Sequence, residues 1–250
     1  MLFRNLNPRA GRPQKQTGSS KSNRRPKRRS VGKSRWLRWT LLAAAAFYGW
    51  VIVTLVALRW VDPPFTALHA QRRVESWFAK GSYTKRYQPV PLAQISSNLQ
   101  HAVVAAEDGR FFQHHGLDFA EIRDAVEDDL EGGPLRGAST ITQQLLKNLY
   151  FGTMGSFFRK GLEFTMAPLA DIILGKRRML ELYLNVIEWG SGVYGAEAAA
   201  RYHYRTTAAT LSRDQAARLA AVLPAPRRRL PGRMSAYSER ILRRMAQSGF

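Results

Sequence analysis

The chain has no cysteine, so a thiol nucleophile, a disulfide framework and a cysteine-bound zinc site are all excluded. Its first 38 residues contain no aspartate or glutamate, and the twenty residues from Trp39 to Leu58 carry no charge of either sign. Beyond Leu92 no stretch sustains the alternation of a β-strand. These gaps locate what the chain does have. Of its 39 lysines and arginines, thirteen crowd into residues 1–38, including Arg24, Arg25, Lys27, Arg28 and Arg29. The net charge of +21 therefore falls to +8 over the remaining 212 residues.

So basic a chain fits either a nucleic acid or an anionic membrane. The uncharged run favours the membrane. As a helix, twenty residues span about 30 Å, the thickness of one hydrocarbon core. Trp36, Trp39 and Trp60 sit where an interfacial aromatic belt belongs. The run is too long for a signal-peptide core, and Arg59-Trp60-Val61-Asp62-Pro63-Pro64 offers no small-x-small cleavage site, so an uncleaved anchor is expected. The positive-inside rule then keeps the tail in the cytoplasm and sends residues 59–250 across.

Residues 59–90 read as a mixed connector, interrupted by Pro63, Pro64, Gly81 and Pro89, with an amphipathic stretch near Ala67–Phe78. Helical spacing follows. Leu92, Ile95, Leu99, Val103 and Ala106 form one stripe ending near Glu107; a second helix starts at Asp118, with Phe119, Ile122, Val126 and Leu130 on its apolar side, and stops at Gly132, Gly133 and Pro134. Capping-box spacings at Thr140/Gln143 and Ser212/Gln215 mark two more helix starts. Further stripes run through Leu162, Met166, Leu169 and Ile173 and through Leu180, Leu182, Tyr183 and Ile187.

Three clusters can carry chemistry. Glu107-Asp108-Gly109-Arg110-Phe111-Phe112-Gln113-His114-His115-Gly116 gathers carboxylates, aromatics and histidines at a helix end, where the macrodipole and desolvation raise a carboxylate pKa towards that of a general base. A loop carboxylate with packing histidines explains the same residues. Adjacent His114 and His115 are badly spaced as metal ligands. Gly137–Asn148 is a hydroxyl-rich helix start with Gln144 and Lys147 three apart, fit for a phosphate or for nothing beyond an ordinary cap. Arg159-Lys160-Gly161-Leu162-Glu163 reads either as a surface ion pair or as diphosphate ligands around a second carboxylate.

In order and wording these clusters resemble glycosyltransferase family 51. Glu107, Asp108, Phe111, His114 and Gly116 match its first motif, Gly137 to Asn148 its second and Arg159 to Glu163 its third. Lys176 to Asn185 and Gly192 to Tyr202 match the fourth and fifth; Ala138 and Gly175 are small departures. The resemblance implies a mainly α fold, a lysozyme-like helical glycosyltransferase domain (91–250) with a smaller membrane-proximal lobe. A basic cytoplasmic tail (1–38), one transmembrane helix (39–58) and a linker (59–90) precede it. It implies polymerisation of lipid II into glycan strands with inversion and loss of undecaprenyl diphosphate, with no room for a transpeptidase domain before Phe250. Glu107 and Glu163 would be catalytic, Glu107 as base. Asp108, Phe111, His114, Ser139, Thr140, Gln144, Lys147, Arg159 and Lys160 would bind substrate. No metal site or cofactor is required, although a divalent ion, Mg or Mn, bridging the diphosphate is allowed for. Partners are lipid II, the growing strand, the membrane and other cell-wall synthesis or division proteins, not nucleic acid, and the setting is the bacterial inner membrane with the catalytic domain periplasmic. A lysozyme-like peptidoglycan hydrolase and a basic membrane-anchored nucleic-acid-binding or scaffold protein are the rival readings.

Overall fold

The computed structural model describes residues 31–79, 83–132, 137–153, 155 and 157–250, with side chains from residue 35. Most of the basic tail, and Gly81, Gly133 and Pro134, lie outside the described residues. The chain divides into two compact units, Met1–Ala46 and Phe47–Phe250.

Helix α1 (Val31–Leu58) contains the segment Arg35–Leu58, long and apolar enough to cross a membrane. In the second unit its last three turns are part of the core. Val51 and Leu55, four apart on one face, are fully buried, each worth about 1.5–3 kcal/mol on burial. Polar contacts fix the same face: Thr54 meets the Tyr150 hydroxyl at 2.7 Å, and Arg178 donates to the Leu58 carbonyl at 2.8 Å while pairing with Asp62 at 2.9 Å.

The expected connector carries α2 (Ala67–Phe78), capped by Thr66, and the strand β1 (Arg86–Tyr87). It is bound into the domain at several points. Gln71 bonds Thr153, Arg72 pairs with Glu188 at 2.9 Å, and Glu75 pairs with Arg227 at 3.1 Å.

The expected stripe from Leu92 is divided in two. Leu92–Gln94 forms a 3-10 turn, and α3 (Ser97–Glu107) starts only where the Ser96 hydroxyl accepts the Asn98 N–H. Helix α4 (Phe119–Leu130) starts at Asp118 as expected, but its apolar side is only partly covered among the described residues. Among the described residues it buries none of its side chains, and Phe119, Val126 and Leu130 are exposed. Helix α5 (Ile141–Leu146) opens with the complete Thr140/Gln143 capping box and runs into a π turn, Lys147–Phe151. Helix α6 (Phe157–Val186) joins the two later stripes, broken at Gly175, whose φ of +72° is open to glycine at little cost.

Two further strands, β2 (Glu188–Gly190) and β3 (Val193–Tyr194), complete a three-stranded sheet in the order β1-β3-β2, with β1 parallel and β2 antiparallel to β3. Helices α7 (Ala196–Tyr204), α8 (Arg213–Ala220) and α9 (Ser235–Gln247) follow, α8 with its full Ser212/Gln215 box. The core lies where α5 packs on α6 and α8 on α3 and α9, around the fully buried Trp189, Tyr183, Tyr194 and Phe111.

Candidate active site

Helix α3 ends by delivering Glu107 to the surface of the core. Its successor Asp108 leaves helical geometry (φ −162°, ψ 75°) and turns a buried carboxylate back under the chain. That carboxylate accepts the Ile141 N–H at the start of α5 (2.9 Å) and the His114 Nε2–H (3.0 Å). One side chain thus holds the first motif against the second, with charge-assisted bonds worth about 1.5–3 kcal/mol each. Beneath them Gly116, at φ +83°, runs so close to α6 that a Cβ would lie 2.4 Å from the Ala167 carbonyl oxygen, and the Thr140 hydroxyl donates to the Gly116 carbonyl at 2.8 Å.

Four residues expected to bind substrate also make contacts that hold the frame together. Phe111 has no exposed surface and carries the Lys176 ammonium over its ring at 4.8 Å. Asp108 and His114 bond each other, and Thr140 caps α5. Their side chains brace the site through these contacts, while Asp108 and Thr140 also line the cleft that Glu107 faces.

Glu107 is half-buried, and its Oε2 accepts the Gln144 Nε2–H at 2.8 Å. Among the described residues its other oxygen has no hydrogen-bond partner. The Gln144 amide is itself oriented by the Tyr183 hydroxyl, which donates to its oxygen at 2.9 Å. Burial pushes the Glu107 carboxyl above the usual glutamate range. The Gln144 bond and the Lys147 and Arg229 charges oppose that rise, and Asp108 adds to it. Tyr183 is pushed up by burial and by the Glu107 and Asp108 charges, so it stays a donor.

The Glu107–Gln144 bond joins two clefts. Glu107, Ser139 and Arg244 line one of about 380 Å³; Gln144, Lys147, Tyr183, Arg72, Arg227 and Arg228 line the other, of about 390 Å³. Lys147 lies in the field of both carboxylates. Burial lowers its pKa, Glu163 and Glu107 oppose that, and Arg159 and Lys160 reinforce it. Glu163, 2% exposed, is the hub of this group, 3.2 Å from Arg159 and 3.8 Å from Lys160; Lys160 also donates to Ser139 at 2.7 Å. Glu107, Ser139, Gln144, Lys147, Arg159, Lys160 and Glu163 are thus connected through these bonds and charges.

Sequence reasoning missed Tyr183, Arg229 and the rim formed by Arg72, Glu188, Arg227 and Arg228. Tyr183 stood within a quoted motif, but its bond to Gln144 spans 39 residues and leaves no local trace. The arginines were lost in a generally basic composition. Asp108, His114 and Asp118 offer ligand atoms within 4.8 Å of one another, but the carboxylate oxygens already accept from Ile141, His114, Glu121 and Arg110.

A helical domain that sets a carboxylate facing a cleft beside a carboxylate-held group of cations brings acid–base chemistry next to positive charge. The transglycosylase family model matches residues 74–247, and the chain belongs to that family. Among its relatives, the biosynthetic peptidoglycan transglycosylase of Pseudomonas syringae pv. syringae (strain B728a) is 46% identical over 205 residues, 80% of this chain and 86% of its own length. The protein of that name from Pseudomonas entomophila (strain L48) is 46% identical over 202 residues, covering 79% and 86%. That from Ectopseudomonas mendocina (strain ymp) is 43% identical over 217 residues, covering 85% and 87%.

Proposed function

We infer that this chain polymerises peptidoglycan glycan strands from lipid II, releasing a polyprenyl diphosphate. The observation that carries the reading is Glu107, with one oxygen held by Gln144 and the other without a hydrogen-bond partner among the described residues, in the field of the Lys147 ammonium. Its raised pKa suits a base that takes the proton from the acceptor's 4-hydroxyl as that oxygen attacks the anomeric carbon of the growing strand. The carbon–oxygen bond to the diphosphate breaks with inversion. Negative charge then collects on the leaving group, where Lys147 and the cations arranged by Glu163, Arg159 and Lys160, stabilise it. Arg228, exposed and without a carboxylate partner among the described residues, adds a cation to the same cleft. A hydrolase of a neutral glycosidic bond has no use for that cradle. A divalent ion, Mg or Mn, would supply further charge across the diphosphate; the protein's own cations provide the same kind of stabilisation without it.

In this reading α1 anchors the chain in the inner membrane with its N-terminus cytoplasmic and the domain periplasmic, where a lipid-linked substrate is met without leaving the bilayer. The exposed Phe119, Val126 and Leu130 of α4 supply apolar surface for a membrane-touching lobe. The test is incubation of the detergent-solubilised protein with lipid II. Long glycan strands are expected; digestion of finished peptidoglycan without consumption of lipid II would overturn the assignment.

A further inference from the structure

The π turn Lys147–Phe151 faces two chemically opposite surfaces. Lys147 and Asn148 line the cationic cleft, and the next two residues, Leu149 and Tyr150, line a groove of about 330 Å³ against the last turns of α1 and the segment that follows it. Every polar side chain on the groove wall is already engaged. The Tyr150 O–H and Thr54 hydroxyl bond each other, and Thr54 also donates to the Val51 carbonyl; Asp62 is held by Arg178 and Thr66 caps α2. A ligand in this groove meets carbon. The rest of the wall includes Trp50, Ala57 and Val61 on one side and Phe65, Ala67 and Leu149 on the other, at the end of the apolar span.

An anionic cleft ligand and a hydrocarbon groove ligand separated by one step of the same turn describe the two ends of one molecule, a lipid diphosphate. We propose that the groove between α1 and the π turn binds the head-proximal stretch of the polyprenyl chain whose diphosphate lies at Lys147. The proposal rests on the function inferred above. A free phospholipid fits less well, because its chain would fill the groove while leaving the adjoining cations without a diphosphate. The groove gives α1 a second use: it becomes one wall of the substrate site, and the departing lipid is guided straight into the bilayer beside it.

The test uses the full chain in phosphatidylcholine nanodiscs, with binding of inorganic diphosphate and of farnesyl diphosphate measured by calorimetry. Wild type should bind farnesyl diphosphate roughly tenfold or more tightly than diphosphate, since each buried CH2 contributes about 0.8 kcal/mol. Ala57→Trp, which fills the groove from α1, should remove most of that advantage and leave diphosphate affinity unchanged. Ala67→Phe should do the same from the opposite wall, so misfolding of one variant leaves the other to decide. An unchanged ratio in a folded variant overturns the proposal, as does equal competition by phosphatidylglycerol lacking a diphosphate. Absence of binding by either diphosphate overturns the cradle at Lys147 itself, and the inferred function with it.

Discussion

Glu107 and Glu163 are carboxylates on helices of one domain, both coupled to Lys147, and their surroundings give them opposite work. Glu107 ends α3 half-buried, bonded to a neutral amide, with an oxygen facing a cleft. Glu163 is almost fully buried within α6 between Arg159 and Lys160. The first has little to stabilise its charge and accepts a proton readily; the second is committed to holding two cations in place. Residue type sets neither role. The partners do.

Neutralising each in turn separates the two. Glu107→Gln should lower lipid II polymerisation by about 10²–10⁴-fold, the usual contribution of a general base. Its melting temperature should hold or rise, because the variant removes a charge that burial disfavours. The sign follows from linkage: an acid whose folded pKa is raised loses stability as pH climbs from the unfolded pKa through the folded one, so at neutral pH the ionised Glu107 is a cost. Glu163→Gln should do the reverse in a thermal melt. It leaves Arg159 and Lys160 without their counter-charge, at a cost of about 1–3 kcal/mol, below the full penalty for a buried pair because both cations are partly exposed. A Glu163→Gln melt indistinguishable from wild type would end the contrast. Tyr183→Phe is the finest probe. It frees the Gln144 amide to rotate, and polymerisation should fall by about tenfold or less, the equivalent of one neutral hydrogen bond, without a change in the membrane anchor.

How far the sequence anticipates this site depends on how local each cause is. The α2 segment at Ala67–Phe78, the end of α3 at Glu107 and the caps at Thr140/Gln143 and Ser212/Gln215 rest on chemistry within a few residues, and each is legible in the chain. Helices α7 and α9 begin without a side-chain cap, and the sheet's strands are two or three residues long, too short for alternation to register. Asp108 reads as a substrate ligand from its motif, and its bond to His114 is local, but the bond it accepts from an N–H 33 residues away leaves no trace in the sequence. The α4 stripe illustrates a different limit: periodicity reveals that a face is apolar, not what covers it, and among the described residues Phe119, Val126 and Leu130 stay exposed.

The account depends on a proton moving to Glu107, and the pH dependence of lipid II polymerisation reads that ionisation directly. Activity should fall on the acid side at a pH above the ordinary glutamate range, as the raised Glu107 carboxyl protonates. It should fall on the alkaline side below the ordinary lysine range, as Lys147 loses its charge. Gln144→Ala removes the donor that opposes the rise and should move the acid limb higher still. An acid limb at the ordinary glutamate value that Gln144→Ala leaves in place would contradict Glu107 as the base.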